Sequence, residues 1–177
     1  MANNTRKQIK YLTVGAMLSA LGVVILALGS VIEVIDLTVA VFASLLCVWA
    51  VIELGGIYPW MIWIVTSVVG ILILPLKTPA LFYAVAFGFY PMIKELAEKN
   101  ARTLSWLIKL VTFHICMGLM FLGLYLFFPA ILEESMQELF LLGLYVVSLA
   151  IFIIYDIALS RLITLYVFKF RKRFQLK

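Results

Sequence analysis

Six apolar runs divide this chain, near residues 10–31, 37–54, 57–76, 79–94, 103–128 and 137–160, each closed by glycine, proline or charge. A helix crossing a bilayer needs about 20 mostly apolar residues, and lipid leaves the backbone of such a run no hydrogen-bonding partner but itself. The expected fold class is therefore all-α: a polytopic membrane protein built as one six-transmembrane-helix bundle over residues 1–177, with a basic cytoplasmic tail over about 161–177. Composition agrees, since 66% of the 177 residues are hydrophobic and 13% charged, more apolar surface than a soluble domain of this size can bury. The first run follows Arg6, Lys7 and Lys10 as a signal peptide would, but it is too long and lacks an A-x-A site, so it reads as a retained helix.

Orientation follows from Lys and Arg, which collect in cytoplasmic loops. Six spans put both termini on one side. If that side is the cytoplasm, the N-terminus, the segment "KELAEKNARTLSWLIK" and the C-terminal tail hold every basic residue but Lys77. Glu33, Asp36, Glu133, Glu134 and Glu138 then fall outside. The expectation is a multi-pass plasma-membrane protein with both termini cytoplasmic. The net charge of +5 could suit nucleic acid, but the tail "VFKFRKRFQLK" interleaves aromatics with bases directly after a span, which points to the lipid bilayer and its anionic headgroups.

The connections are too short for a folded extracytoplasmic domain, the longest outer one being "FPAILEESMQE". "YPWMI" at 58–62 and "YPMI" at 90–93 echo each other as Tyr-Pro pairs at membrane interfaces. Cys47 and Cys116 fall inside spans, where packing is the ordinary role of a free thiol. No P-loop and no H-E-x-x-H occurs, and one histidine, His114, cannot make a zinc site of the usual kind. "EESMQE" has the paired glutamates of intramembrane CAAX-type proteases but lies in an outer loop without the following arginine. The expectation is no enzyme, no cofactor and no metal.

What remains is polar side chains inside spans, each costly in lipid and so a candidate for function. His114 shares a helix face with Gly118 and Tyr125. Tyr83, Phe87 and Tyr90 form an aromatic stripe in the fourth run beside a small stripe of Ala80, Ala84 and Gly88. Tyr145, Ser148, Asp156 and Ser160 share one side of the sixth, with Arg161 or Lys109 the expected partner of Asp156. Glu53, before Gly55 and Gly56, ends the second run, solvated or paired in the same way. Glu33, Tyr83, Tyr125 and Tyr145 in the outer half, with His114 near mid-membrane, are the expected substrate-binding set, because convergent polar and aromatic groups between helices build small-molecule sites.

The first run carries one further pattern. On a helical wheel Gly15, Ala16, Ser19, Ala20, Gly22, Ala27, Gly29 and Ser30 occupy one half, interrupted by Val23 and Leu26. Small residues let membrane helices approach closely, and the half is wide enough for an internal contact through the glycines and serine and an external one through Ala16, Ala20 and Ala27. Six short spans, basic cytoplasmic ends, minimal loops and this A-x-x-x-A ("AMLSA") resemble the substrate-binding S components of energy-coupling factor (ECF) transporters. That resemblance implies a transmembrane coupling subunit docked on the alanines, ATPase subunits working in trans, and a vitamin-like small-molecule solute held near the outer face. The alternative is a non-transporting membrane scaffold, similar to rod-shape-determining membrane proteins, acting through partner contacts.

Overall fold

The computed structural model describes residues 2–127 and 138–170. The connection 128–137 and the tail beyond 170, with their glutamates and bases, lie outside the described residues. The described chain is helical without strands: α1 (Ala2–Val31), a 3₁₀ turn (Glu33–Ile35), α2 (Asp36–Glu53), α3 (Tyr58–Ile73), α4 (Thr78–Phe82), a π turn (Tyr83–Phe87), α5 (Tyr90–Glu98), α6 (Arg102–Phe127), α7 (Glu138–Leu165) and a second π turn (Tyr166–Phe170). Five segments are long and apolar enough to cross a membrane: Thr5–Val31, Asp36–Glu53, Thr78–Glu98, Arg102–Leu122 and Leu142–Lys169. The third apolar run gives a shorter helix of 16 residues, about 24 Å at 1.5 Å per residue.

Proline and glycine set these boundaries. Pro59, Pro79 and Pro91 each stand in the first turn of a helix, where a missing N–H costs nothing. Leu74, which precedes Pro75, is extended at φ −72°, ψ 136° and stops α3 three residues short of the apolar run's end. Lys77, the one base outside the basic clusters, donates to the Ile71 carbonyl at 2.8 Å, satisfying an orphan acceptor at that stop. Gly55 and Gly56 take positive φ values of 62° and 60° after α2, with the Gly55 N–H reaching back to Ala50 O. Only glycine adopts that turn cheaply.

The chain forms two compact units, Met1–Lys109 and Leu110–Lys177, divided within α6. In the first, α1 packs on α2 and α3, and α2 also packs on α4, the π turn and α5. The buried residues of α2, Val39, Ala40, Ala43, Ser44, Cys47, Val48 and Ala50, recur at helical spacing. A methyl at Gly22 would lie 2.9 Å from Thr66 Cγ2, and one at Gly29 would collide with Val39. Chain directions follow from such contacts. Gly15 faces Ile62, Gly22 faces Thr66 and Leu26 faces Gly70, so α1 and α3 are parallel. Gly22 faces Leu46 and Gly29 faces Val39, so α2 is antiparallel to α1. Gly70 faces Ala80 and Gly88 faces Trp63, so the fourth run returns against α3.

In the second unit, Phe113 on α6 stacks with Phe152 on α7 at 5.1 Å between ring centroids. Phe113, Cys116, Tyr155, Asp156 and Leu159 are its buried residues among those described.

Candidate functional site

The wheel of α1 resolves into two faces. Gly15, Ser19, Gly22, Leu26, Gly29 and Ser30 are buried, while Ala16 and Ala20 are exposed and Ala27 is half-buried. Leu26, an interruption in the small half, is fully buried and fills the space facing Gly70. Ser19 satisfies its hydroxyl on Gly15 O at 3.0 Å, and Thr66 of α3 donates across to Ser19 O at 3.5 Å. The face that meets α3 therefore uses the glycines and the serine. Ala16 and Ala20 stay on the outside of the first unit.

Within that unit the fourth run is broken at its centre. The Gly88 N–H bonds five residues back, to Tyr83 O at 2.7 Å, rather than four back to Ala84 O. The carbonyl of Ala84 accepts instead from Trp63 Nε1 of α3 at 3.2 Å. A buried carbonyl without a partner costs about 1–3 kcal/mol, so the tryptophan offsets the irregular turn. Glycine is needed at 88 because a methyl there would lie 2.6 Å from Trp63 Cδ1 and 2.7 Å from Tyr83 O. Tyr83 is 1% exposed, and its hydroxyl shares a hydrogen bond with Cys47 Sγ at 3.0 Å. Cys47 thus does more than pack. Glu33 lies in the 3₁₀ turn, its side chain outside the described residues.

The end of the fourth run holds a charged corner that the sequence reading did not single out. Lys94 is 1% exposed, with its ammonium 3.0 Å from Glu98 Oε1. Lys109, on the first turns of α6, lies 3.4 Å from the same oxygen. Its ammonium also sits 5.5 Å from the Trp106 ring centroid. One carboxylate thus joins the end of α5 to the start of α6. The spacing of Lys94 and Glu98, four apart, was the available signal; the burial of Lys94 was not visible without the fold.

In the second unit, His114 and Tyr145 are brought together. His114 Nδ1 lies 2.8 Å from Leu110 O and Nε2 lies 2.9 Å from Tyr145 Oη. A carbonyl only accepts, so Nδ1 carries the hydrogen. In the neutral ring Nε2 then accepts from the tyrosine hydroxyl. Both nitrogens are satisfied, which suits an imidazole exposed on the outside of an apolar helix. Tyr125 belongs to α6 in the same unit, its side chain outside the described residues, and Asp156 is buried on α7. Among the described residues no group of His, Cys, Asp and Glu could hold a metal ion.

No protein-family model, no curated protein and no solved structure matches this chain.

Proposed function

We propose that this chain is a six-span plasma-membrane subunit with both termini cytoplasmic, serving as the substrate-binding subunit of an ECF-type importer for a vitamin-like solute. ATP is hydrolysed in trans by partner subunits. The span added to the five long segments is the short α3, third in chain order: it runs parallel to α1 and keeps contact with it from Gly15 to Leu26, so it shares the depth of a helix long enough to cross. Its flanking apolar residues and local thinning of the bilayer accommodate its length. The two parallel helices, with α2 and the fourth run reversed, give the alternation that successive spans require.

The observation that carries the functional reading is the division of α1. Gly15, Ser19 and Gly22 are consumed by the internal contact while Ala16 and Ala20 face outward. A lipid-facing helix has no need of small residues, and beside them Met17, Leu21 and Val24 show the bulk that lipid tolerates. A partner helix does need them, because close backbone approach is what holds membrane helices together. The test is the double substitution Ala16→Trp with Ala20→Trp. The expected result is unchanged thermal stability in detergent with loss of co-purifying coupling subunits. A destabilised protein would assign the alanines to the chain's own packing.

The scaffold reading keeps the docking face and drops the solute. It is favoured by Tyr83, whose hydroxyl is engaged with Cys47 inside the first unit. Mass spectrometry of small molecules retained through purification separates the two. A bound solute whose affinity falls several-fold in Tyr125→Ala and Tyr145→Ala supports import, and none retained supports the scaffold.

A further inference from the structure

Two groups of bases in the first unit differ in their surroundings. Lys94, Lys99 and Lys109 each have a carboxylate nearby: Glu98 at 3.0 Å, Glu95 at 2.8 Å and Glu98 at 3.4 Å. Arg6, Lys7 and Lys10 are exposed at the start of α1 and have no ion pair among the described residues. Three cations within five residues repel one another unless counter-charge arrives from outside. The sequence just beyond them turns apolar: Leu12, Met17, Leu21 and Val24 are exposed on the same helix. The bases therefore stand where a membrane helix leaves the hydrocarbon, at the depth of headgroup phosphates.

That end of the helix also has a built wall. Lys7 and Tyr11 are one turn apart, with the ammonium 5.5 Å from the ring centroid. Tyr11 in turn meets Tyr58, at the start of α3, edge to face at 5.3 Å and 89°. The aromatic pair ties the base-bearing turn to a second helix and fixes Lys7 above a ring. We propose that Arg6, Lys7 and Lys10, with the Tyr11 and Tyr58 rings beside them, form a binding site for the phosphate of an anionic phospholipid, whose acyl chains lie along Leu12 and Met17. A soluble phosphate shares the headgroup chemistry but lacks the acyl chains, so the exposed apolar continuation favours the lipid. This inference rests on the chain being in a membrane and is independent of what it transports.

The experiment reconstitutes the full chain with dioleoylphosphatidylglycerol or dioleoylphosphatidylcholine and counts retained lipid by native mass spectrometry. Wild type retains the anionic lipid over the zwitterionic one by on the order of tenfold. Lys7→Ala with Lys10→Ala lowers the preference several-fold, Lys7→Arg with Lys10→Arg restores it, and Lys99→Ala leaves it unchanged. Equal retention by wild type, or a preference undiminished by the double alanine substitution, overturns the site. Displacement of the lipid by millimolar inorganic phosphate overturns the lipid as its occupant. A chain that fails to enter vesicles overturns the membrane reading itself, a result distinct from insertion without lipid preference.

Discussion

Gly22 and Gly88 in the first unit and Gly118 and Gly143 in the second are the same residue in opposite surroundings. A methyl added at either of the first pair would meet neighbouring atoms within 3 Å, whereas one added at either of the second would meet nothing within 4 Å among the described residues. The first unit joins its helices by backbone approach, with Ser19, Ala40, Ala43, Ser44 and Gly70 at the contacts. The second joins α6 to α7 through side-chain ends, by the rings of Phe113 and Phe152 and the hydrogen bond of His114 with Tyr145. Backbone contacts fix helices by shape and tolerate no added volume. Side-chain contacts tolerate volume and depend on particular polar atoms.

The strongest way to break this contrast is to add volume to the first unit. Gly88→Leu would force apart Trp63, the Tyr83 carbonyl and the Tyr83 ring together. It should cost about 3 kcal/mol or more, at the upper end of overpacking penalties. Denaturant titration in mixed micelles measures it. A small effect would mean that the π turn reverts to α-helix and carries residue 88 out of the contact.

Next in size is Glu98→Gln, which removes the charge shared by Lys94 and Lys109. Hydrogen bonds to charged groups contribute about 1.5–3 kcal/mol, and the half-exposed carboxylate reduces this to about 1–2 kcal/mol. Lys99→Ala, which breaks the exposed pair with Glu95, should cost only a few tenths of that. Equal losses from the two would show that the burial of Lys94 confers no special dependence on Glu98.

How far the sequence foretold these features depends on the range of the forces that made them. Helix positions were legible because lipid demands long apolar runs and because Pro59, Pro79 and Pro91 stand at starts while Gly55 and Gly56 follow an end. The buried face of α1 was legible because Gly15, Ser19, Gly22 and Gly29 recur at helical spacing. The π turn was not. "YAVAFGF" has the periodicity of an ordinary helix, and the irregular register depends on Trp63, which lies 21 residues from Ala84 in sequence. Of the candidate site, the pairing of His114 with Tyr145 links residues 31 apart and needed the fold to be seen. Tyr83 read as one member of an aromatic stripe with Phe87 and Tyr90, and only α2 reveals that Cys47 meets its hydroxyl.

A smaller effect tests the second unit on its own ground. Tyr145→Phe keeps the ring beside Phe113 and removes the hydroxyl that bonds His114. Hydrogen bonds between membrane helices contribute about 0.6 kcal/mol on average and at most about 1.7, so the loss should fall in that range. His114→Phe combined with Tyr145→Phe should cost less than the sum of the single changes, because both remove the same bond. Strict additivity would show that the hydroxyl and the ring nitrogen stabilise the unit separately.

The smallest change should have the opposite sign. Gly118 and Gly143 lie within helices with open space around them, so the methyl of alanine at either position meets no neighbouring atom within 4 Å among the described residues. Alanine is better in a helix interior than glycine by up to about 1 kcal/mol, chiefly because it has less backbone freedom to lose. Gly118→Ala and Gly143→Ala should each raise stability in detergent by about half a kcal/mol, while Gly22→Ala, closed in by Thr66, lowers it. The same variants then sharpen the comparison in the membrane. A surface facing only lipid accepts the added methyl in both settings. One that holds a second helix rejects it, since a methyl there keeps the partner's backbone at a distance. Stabilisation in detergent together with loss of a co-purifying subunit would show that the second unit uses small residues to meet another protein, the role proposed for Ala16 and Ala20 of the first.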